Sequence, residues 1–157
     1  MKEKIYLDTS VISAYYDEHD LKRQKITQLW FADIREKYDL YISEIVELEI
    51  NNTSDLELKA KLKKHILQIP SLKVKPEVRV LAYEYIKKDI FSEEESFRDA
   101  LHISVATIHN IDILVSWNFH HIVTYDTKRK VNAVNTLMGY RNIEVVSPLE
   151  LGGGKYE

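Results

Sequence analysis

Apolar and polar positions switch between two periods along this chain. IYLD, residues 5 to 8, is a short apolar run that ends on a carboxylate, and it predicts a buried strand. From Asp20 to Tyr38 the apolar residues recur every three or four positions. Leu21, Ile26, Leu29, Trp30, Ala32 and Ile34 share one broad face, which predicts a long helix. LYIS, residues 40 to 43, predicts a second strand. Ser43 is placed to cap the following EIVELEI, because a serine hydroxyl accepts from a free first-turn amide. Ser10 stands in the same relation to the helix expected after the first strand. The polar stretch NNTSD, residues 51 to 55, breaks the chain, and LELKAKLKKHILQI is a charged amphipathic helix that closes before Pro70.

The second half repeats the alternation. LKV, residues 72 to 74, predicts a short third strand, and Pro76 marks a helix start before VRVLAYEYIKK. Phe91 to Glu95 reads as a loop dense in acids. Ser96 to His109 is the most apolar helix of the chain, so it should lie inside the fold. IDILVSW, residues 111 to 117, predicts a buried strand. Residues 120 to 138 predict a helix stopped by Gly139, and IEVVSP, residues 143 to 148, a last strand halted by Pro148. Strands alternating with helices predict a three-layer α/β fold with a mainly parallel central sheet. There is no repeat and no linker, so one domain is expected over residues 1–150, with a flexible tail over 151–157.

Composition narrows the chemistry. The length of 157 residues suits one domain with a real core. A net charge of −3 offers no overall field for nucleic acid, although a local basic stripe is enough for a transient substrate. The chain has no cysteine, which excludes disulfides and thiolate zinc sites. No apolar run reaches the length of a membrane span, and MKEKIYLDTS lacks a signal peptide's apolar core. A cytoplasmic protein is expected.

In parallel α/β sheets, sites form beyond the carboxyl ends of the strands. Asp8, Ser43 and the segment SWN, residues 116 to 118, all sit at such ends. Glu44, Glu47 and Glu49 follow the second strand, Asp99 opens the apolar helix, and Asp112 precedes the next strand. Each has a plain structural reading as a helix cap, a dipole partner or a solvated residue. Asp99 is the exception, because the ALHISVA after it should be buried and turn its carboxylate into a cleft. Acids gathered at neutral pH raise one another's pKa, and a hard divalent cation relieves that conflict. Strand-end acids plus a buried helix-start acid therefore suggest metal-dependent phosphodiester hydrolysis.

Four ordered segments resemble the PIN-domain ribonucleases, and among them the VapC-like toxins of toxin–antitoxin systems. YLDTSVIS (6–13), SEIVELE (43–49), RDALHISVA (98–106) and ILVSWNFHHI (113–122) match the motifs in turn. The resemblance implies metal-binding and catalytic roles for Asp8, Glu49, Asp99 and Asn118, selecting Glu49 over Glu44 and Glu47. It also implies Mg2+ or Mn2+, endonucleolytic cleavage of single-stranded RNA, a cognate antitoxin protein and a homodimer. Many relatives carry aspartate where this chain has Asn118, and His120 or His121 replaces a nearby acid. A neutral amide adds no charge, so about three acids remain, which suits one magnesium ion better than two. The alternative is a weak or non-catalytic PIN-like module that binds RNA or a protein partner.

Ser10 and Ser116 are candidates to support the site from behind its acids. His102, one turn beyond Asp99, is a candidate contact to metal or phosphate or else a packed, hydrogen-bonded histidine. His121 is a candidate phosphate contact, and Trp117 is a candidate base-stacking platform or else core. KRK, residues 128 to 130, reads as an RNA contact or a solvated helix face. Tyr15, Tyr16, Trp30 and Phe31 read as a dimer surface or core.

Overall fold

The structure is a computed structural model that describes residues 1–92 and 96–152. Residues 93–95 of the acid-rich loop and 153–157 of the expected tail lie outside the described residues. The chain begins with β1 (Lys4–Leu7), α1 (Thr9–Ala14), α2 (Leu21–Ile34), β2 (Asp39–Ser43), α3 (Glu44–Asn51) and α4 (Leu56–Ile66). Next come β3 (Ser71–Leu72), α5 (Pro76–Lys87), α6 (Phe97–Ile108) and β4 (Ile113–Val115). It closes with α7 (Tyr125–Leu137), β5 (Glu144–Val146) and α8 (Pro148–Leu151).

The five strands form one sheet in the order β3-β2-β1-β4-β5, and every neighbouring pair is parallel. The chain builds outward from β1 through β2 to β3, then crosses to β4 and β5 on the other side. The order therefore reverses between β1 and β4, the place where parallel α/β sheets commonly form sites beyond the strand ends. A central parallel strand is covered on both faces, which is why Ile5, Tyr6 and Leu7 are all fully buried. The apolar helix expected from Ser96 is α6, with every residue from Ala100 to Thr107 buried. Ser43 caps α3 by accepting from the Ile45 amide, and Pro76 opens α5. Gly139 takes a φ of +82° after α7, a conformation that favours glycine at a helix end.

Several expectations need correction. The helix predicted over 20–38 ends at Ile34, and Leu21 and Leu29 are 66% and 48% exposed. The buried face is Ile26, Thr27, Trp30, Phe31 and Ile34. Thr27 joins it because its hydroxyl bonds the Arg23 carbonyl at 2.7 Å, so no polar atom is stranded. The first helix is capped by Asp8 rather than Ser10, since the Asp8 side chain accepts from the Ser10 amide. The helix predicted from residue 120 begins at Tyr125. Asn118 holds a separate turn before it, through bonds from the Ile122 and Val123 amides to its carbonyl, and Thr124 then caps α7. Pro148 does more than halt a strand: it opens α8, capped by Ser147, and Leu151 belongs to that helix.

Candidate functional site

Strand register decides which end groups meet. Leu7 pairs with Val115, so Asp8 lies beside Ser116 where the two strands end. The Ser116 hydroxyl donates to Asp8 Oδ2 at 2.7 Å and accepts from the Asn118 amide at 2.9 Å. Asp8 Oδ1 accepts from the Ser10 amide at 2.9 Å and closely from the Ser10 hydroxyl. Ser10 Oγ in turn accepts from the Trp117 amide at 2.9 Å. Ser10 and Ser116 thus brace one carboxylate from two strands' worth of chain.

Glu49 and Asp99 come from helices. Glu49, on α3, accepts from the Thr9 hydroxyl at 2.9 Å through Oε1, and His102 Nε2 lies 2.5 Å from the same oxygen. His102 and Asp99 are one turn apart on α6, which turns both toward the strand ends. The second ring nitrogen of His102 lies 2.6 Å from the Tyr6 hydroxyl. Asn118 Oδ1 accepts from the His120 and His121 amides at 3.1 and 2.9 Å, which orients its NH2 group toward Asp99 Oδ1, 3.4 Å away.

Burial pushes the Asp8 carboxyl above the ordinary range, against the lowering effect of His102 and the two serine hydroxyls. Asp99 is raised by burial too, with the charges of Asp8 and Glu49 adding to the rise and His102 and His121 opposing it. Burial also works to raise Glu49, but the His102 hydrogen bond and charge, Thr9 and Arg98 bring it below its usual value. Burial works to lower His102, yet Glu49, Asp8 and Asp99 together raise it. The three acids and one histidine therefore form one electrostatic unit.

The remaining candidates separate. Trp117 is 5% exposed, and its indole N–H donates to Thr27 Oγ1 at 3.0 Å, so its ring is core and not an open stacking platform. The Arg23 guanidinium lies over that ring, 4.8 Å from its centroid. His121 is exposed next to Asn118. Glu44 pairs with Lys73 and the Val74 amide, and Glu47 with Ser71. Asp112 binds the Lys4 amide and Arg141 at the opposite end of β4. Lys128 and Arg129 pair with Glu150 and Asp126. Trp30 is fully buried, whereas Tyr15, Tyr16 and Phe31 line a cleft of about 910 Å3 away from the acids. Sequence reasoning missed Tyr6, Thr9 and Arg23. Strand alternation sets Tyr6 apart from Ile5 and Leu7, but nothing in the spacing points to Arg23.

The donor chemistry fits a hard divalent cation: oxygen ligands, two carboxylates raised by burial, and an Asp99 further raised by its acidic neighbours. As the side chains stand, no group of three or more His, Asp or Glu among the described residues is arranged to hold a metal ion. Glu49 Oε1 is engaged by Thr9 and His102, and Asp99 Oδ1 faces the Asn118 amide. No helix among the described residues is long and apolar enough to cross a membrane.

The family model described as PIN domain matches residues 5–133. Among curated proteins no relative matches the chain. Solved structures do share the fold. VapC20 of Mycobacterium tuberculosis, a sarcin–ricin loop cleaving toxin, is 16% identical with a TM-score of 0.60, over 89% of this chain and 98% of that one. VapBC2 of Rickettsia felis bound to a promoter DNA fragment is 14% identical with a TM-score of 0.57, over 92% and 98%. FitAcB of Neisseria gonorrhoeae is 18% identical with a TM-score of 0.55, over 92% and 97%.

Proposed function

On the premise that this chain belongs to the PIN-domain family, we propose that it is the nuclease toxin of a toxin–antitoxin pair. Its substrate is single-stranded RNA, hydrolysed at phosphodiester bonds with a magnesium or manganese ion. One observation carries the reading: Asp8, Glu49 and Asp99 come from three separate elements and meet electrostatically at the point where the sheet order reverses. Two of the three are raised by burial, the cost that a cation offsets.

Asp8, Glu49 and Asp99 would hold the ion, with Asn118 turned toward Asp99. Such an ion, when bound, acidifies a water and stabilises charge developing at phosphorus. The chain's own residues set the stage. Ser10 and Ser116 orient Asp8, and Thr9 holds one oxygen of Glu49. Arg23 beside Trp117 and the exposed His121 offer donors to RNA phosphates at the rim. The partners on this reading are a cognate antitoxin and a second copy of the chain. The neighbouring folds VapBC2 and FitAcB support the antitoxin.

Incubation with single-stranded RNA and Mg2+ or Mn2+ tests the proposal. Cleavage should require metal and disappear in Asp8→Asn and Asp99→Asn; full activity in both variants overturns it. Asn118 favours a second reading, a non-catalytic module that binds RNA or a protein, because its carbonyl oxygen is already shared by two backbone amides. Calorimetry separates the two: no Mg2+ or Mn2+ binding in the millimolar range favours the module.

A further inference from the structure

Tyr6 and His102 are 0% and 3% exposed, and neither has a task in the chemistry above. The Glu49 side chain is 23% exposed, so water reaches it. A glutamate in that position ordinarily samples several rotamers, since each of its torsions has more than one well. Here Oε1 is held from two sides, by Thr9 at 2.9 Å and by His102 at 2.5 Å. Among the described residues Oε2 carries no hydrogen bond.

The imidazole is itself held. Its Nδ1 lies 2.6 Å from the Tyr6 hydroxyl, which lies 2.8 Å from Ser43 Oγ. Ser43 Oγ accepts from the Ile45 amide at 3.1 Å. One set of directions satisfies every atom: Ile45 N–H to Ser43, Ser43 O–H to Tyr6, Tyr6 O–H to Nδ1, and Nε2–H to Glu49. The chain of bonds starts at the first turn of α3 and returns to the carboxylate near its end. It passes through the central strand and α6 on the way, so it references Glu49 to the most buried part of the fold.

We infer that Tyr6 and His102 are positioning residues that keep the Glu49 carboxylate in one rotamer, with one oxygen engaged and the other open to the ligand of the site. The inference rests on the reading that Glu49 belongs to the functional site. A histidine that only filled space would leave Glu49 unaffected when replaced by an apolar residue of similar size.

The test is made on the full chain by NMR, through the three-bond couplings about χ1 and χ2 of Glu49. Wild type should report one rotamer, and His102→Leu should report averaged values. Tyr6→Phe, which keeps the ring and removes only the hydroxyl, should also average. His102→Gln, whose side-chain N–H can replace Nε2–H, should restore the single rotamer. In calorimetry, Mn2+ affinity should fall about 10-fold or more in His102→Leu and recover in His102→Gln, as is usual when a ligand's outer partner is lost. Cleavage of a single-stranded RNA oligonucleotide should lose kcat with KM unchanged. Averaged couplings in wild type, or a single rotamer retained in both His102→Leu and Tyr6→Phe, overturn the inference. A wild type that binds no Mn2+ and cleaves no RNA overturns the functional reading instead, and the couplings still decide the role of Tyr6 and His102.

Discussion

The Ser116 hydroxyl donates to Asp8 Oδ2 over 2.7 Å and so ties together the ends of two neighbouring parallel strands. Both residues are buried, at 0% and 4% exposure, so water cannot replace the bond when one partner is lost. Ser116→Ala leaves Asp8 Oδ2 and the Asn118 amide each short of a partner. We expect a loss of about 1–3 kcal/mol in urea unfolding, the usual cost of an orphaned buried polar group. The same change removes a bond that favours the charged form, so the Asp8 carboxyl should move further up.

Asp8 and Asp99 both sit above the ordinary carboxylate value of 3.8. Between that value and their raised ones, the folded protein holds more protons than the unfolded chain. Stability therefore falls as pH rises through this window, and the full penalty is present above it. In chelator at pH 7, Asp8→Asn should melt a few degrees above wild type, because Asn keeps the helix cap and removes the desolvated charge. The difference should shrink as pH falls and vanish well below 3.8, where wild type carries the proton in both states. Thermal unfolding followed by circular dichroism across pH reads both outcomes.

Asn118→Asp keeps an oxygen for the His120 and His121 amides but turns a carboxylate toward Asp99 in place of an N–H donor. Like charges at this range raise one another's pKa and weaken the metal-free fold. We expect a lower Tm in chelator and tighter Mn2+ binding, by about 10-fold, from the added negative ligand. Paired melting curves and calorimetry check the trade; unchanged values in both would show that residue 118 does not face the acids in solution.

Thr27→Val replaces a buried hydroxyl with a methyl of similar shape and strands the Trp117 indole N–H that it accepts. The same hydroxyl also donates to the Arg23 carbonyl, so α2 loses a local bond as well. A destabilisation of about 1–3 kcal/mol is expected in urea unfolding. Indole fluorescence of Trp117 should shift as the N–H loses its partner.

The alternation of periods was enough to read a parallel α/β fold, since a strand buried on both faces and a helix buried on one leave different apolar patterns. Local chemistry was equally legible where one side chain acts on its own neighbourhood. Ser43 caps α3 and Pro76 opens α5, as their places before apolar runs implied. Boundaries failed where two signals competed. Asn118 holds a turn that Thr124 then overrides as the cap of α7, and Asp8 takes the cap expected of Ser10.

The sequence by itself determined which carboxylates stand at strand ends and helix starts, because spacing fixes period and face. Only the tertiary structure decided what each one touches. Tyr6 meets His102 across 96 positions, and Asp8 meets Ser116 across 108. Those meetings come from strand register and from how α3 and α6 lie against β1. The same packing buried the Trp117 ring and turned the Asn118 amide toward Asp99. Periodicity carries no information about such distances, since a residue's face is set by its neighbours in the chain and its partner by the closure of the whole sheet.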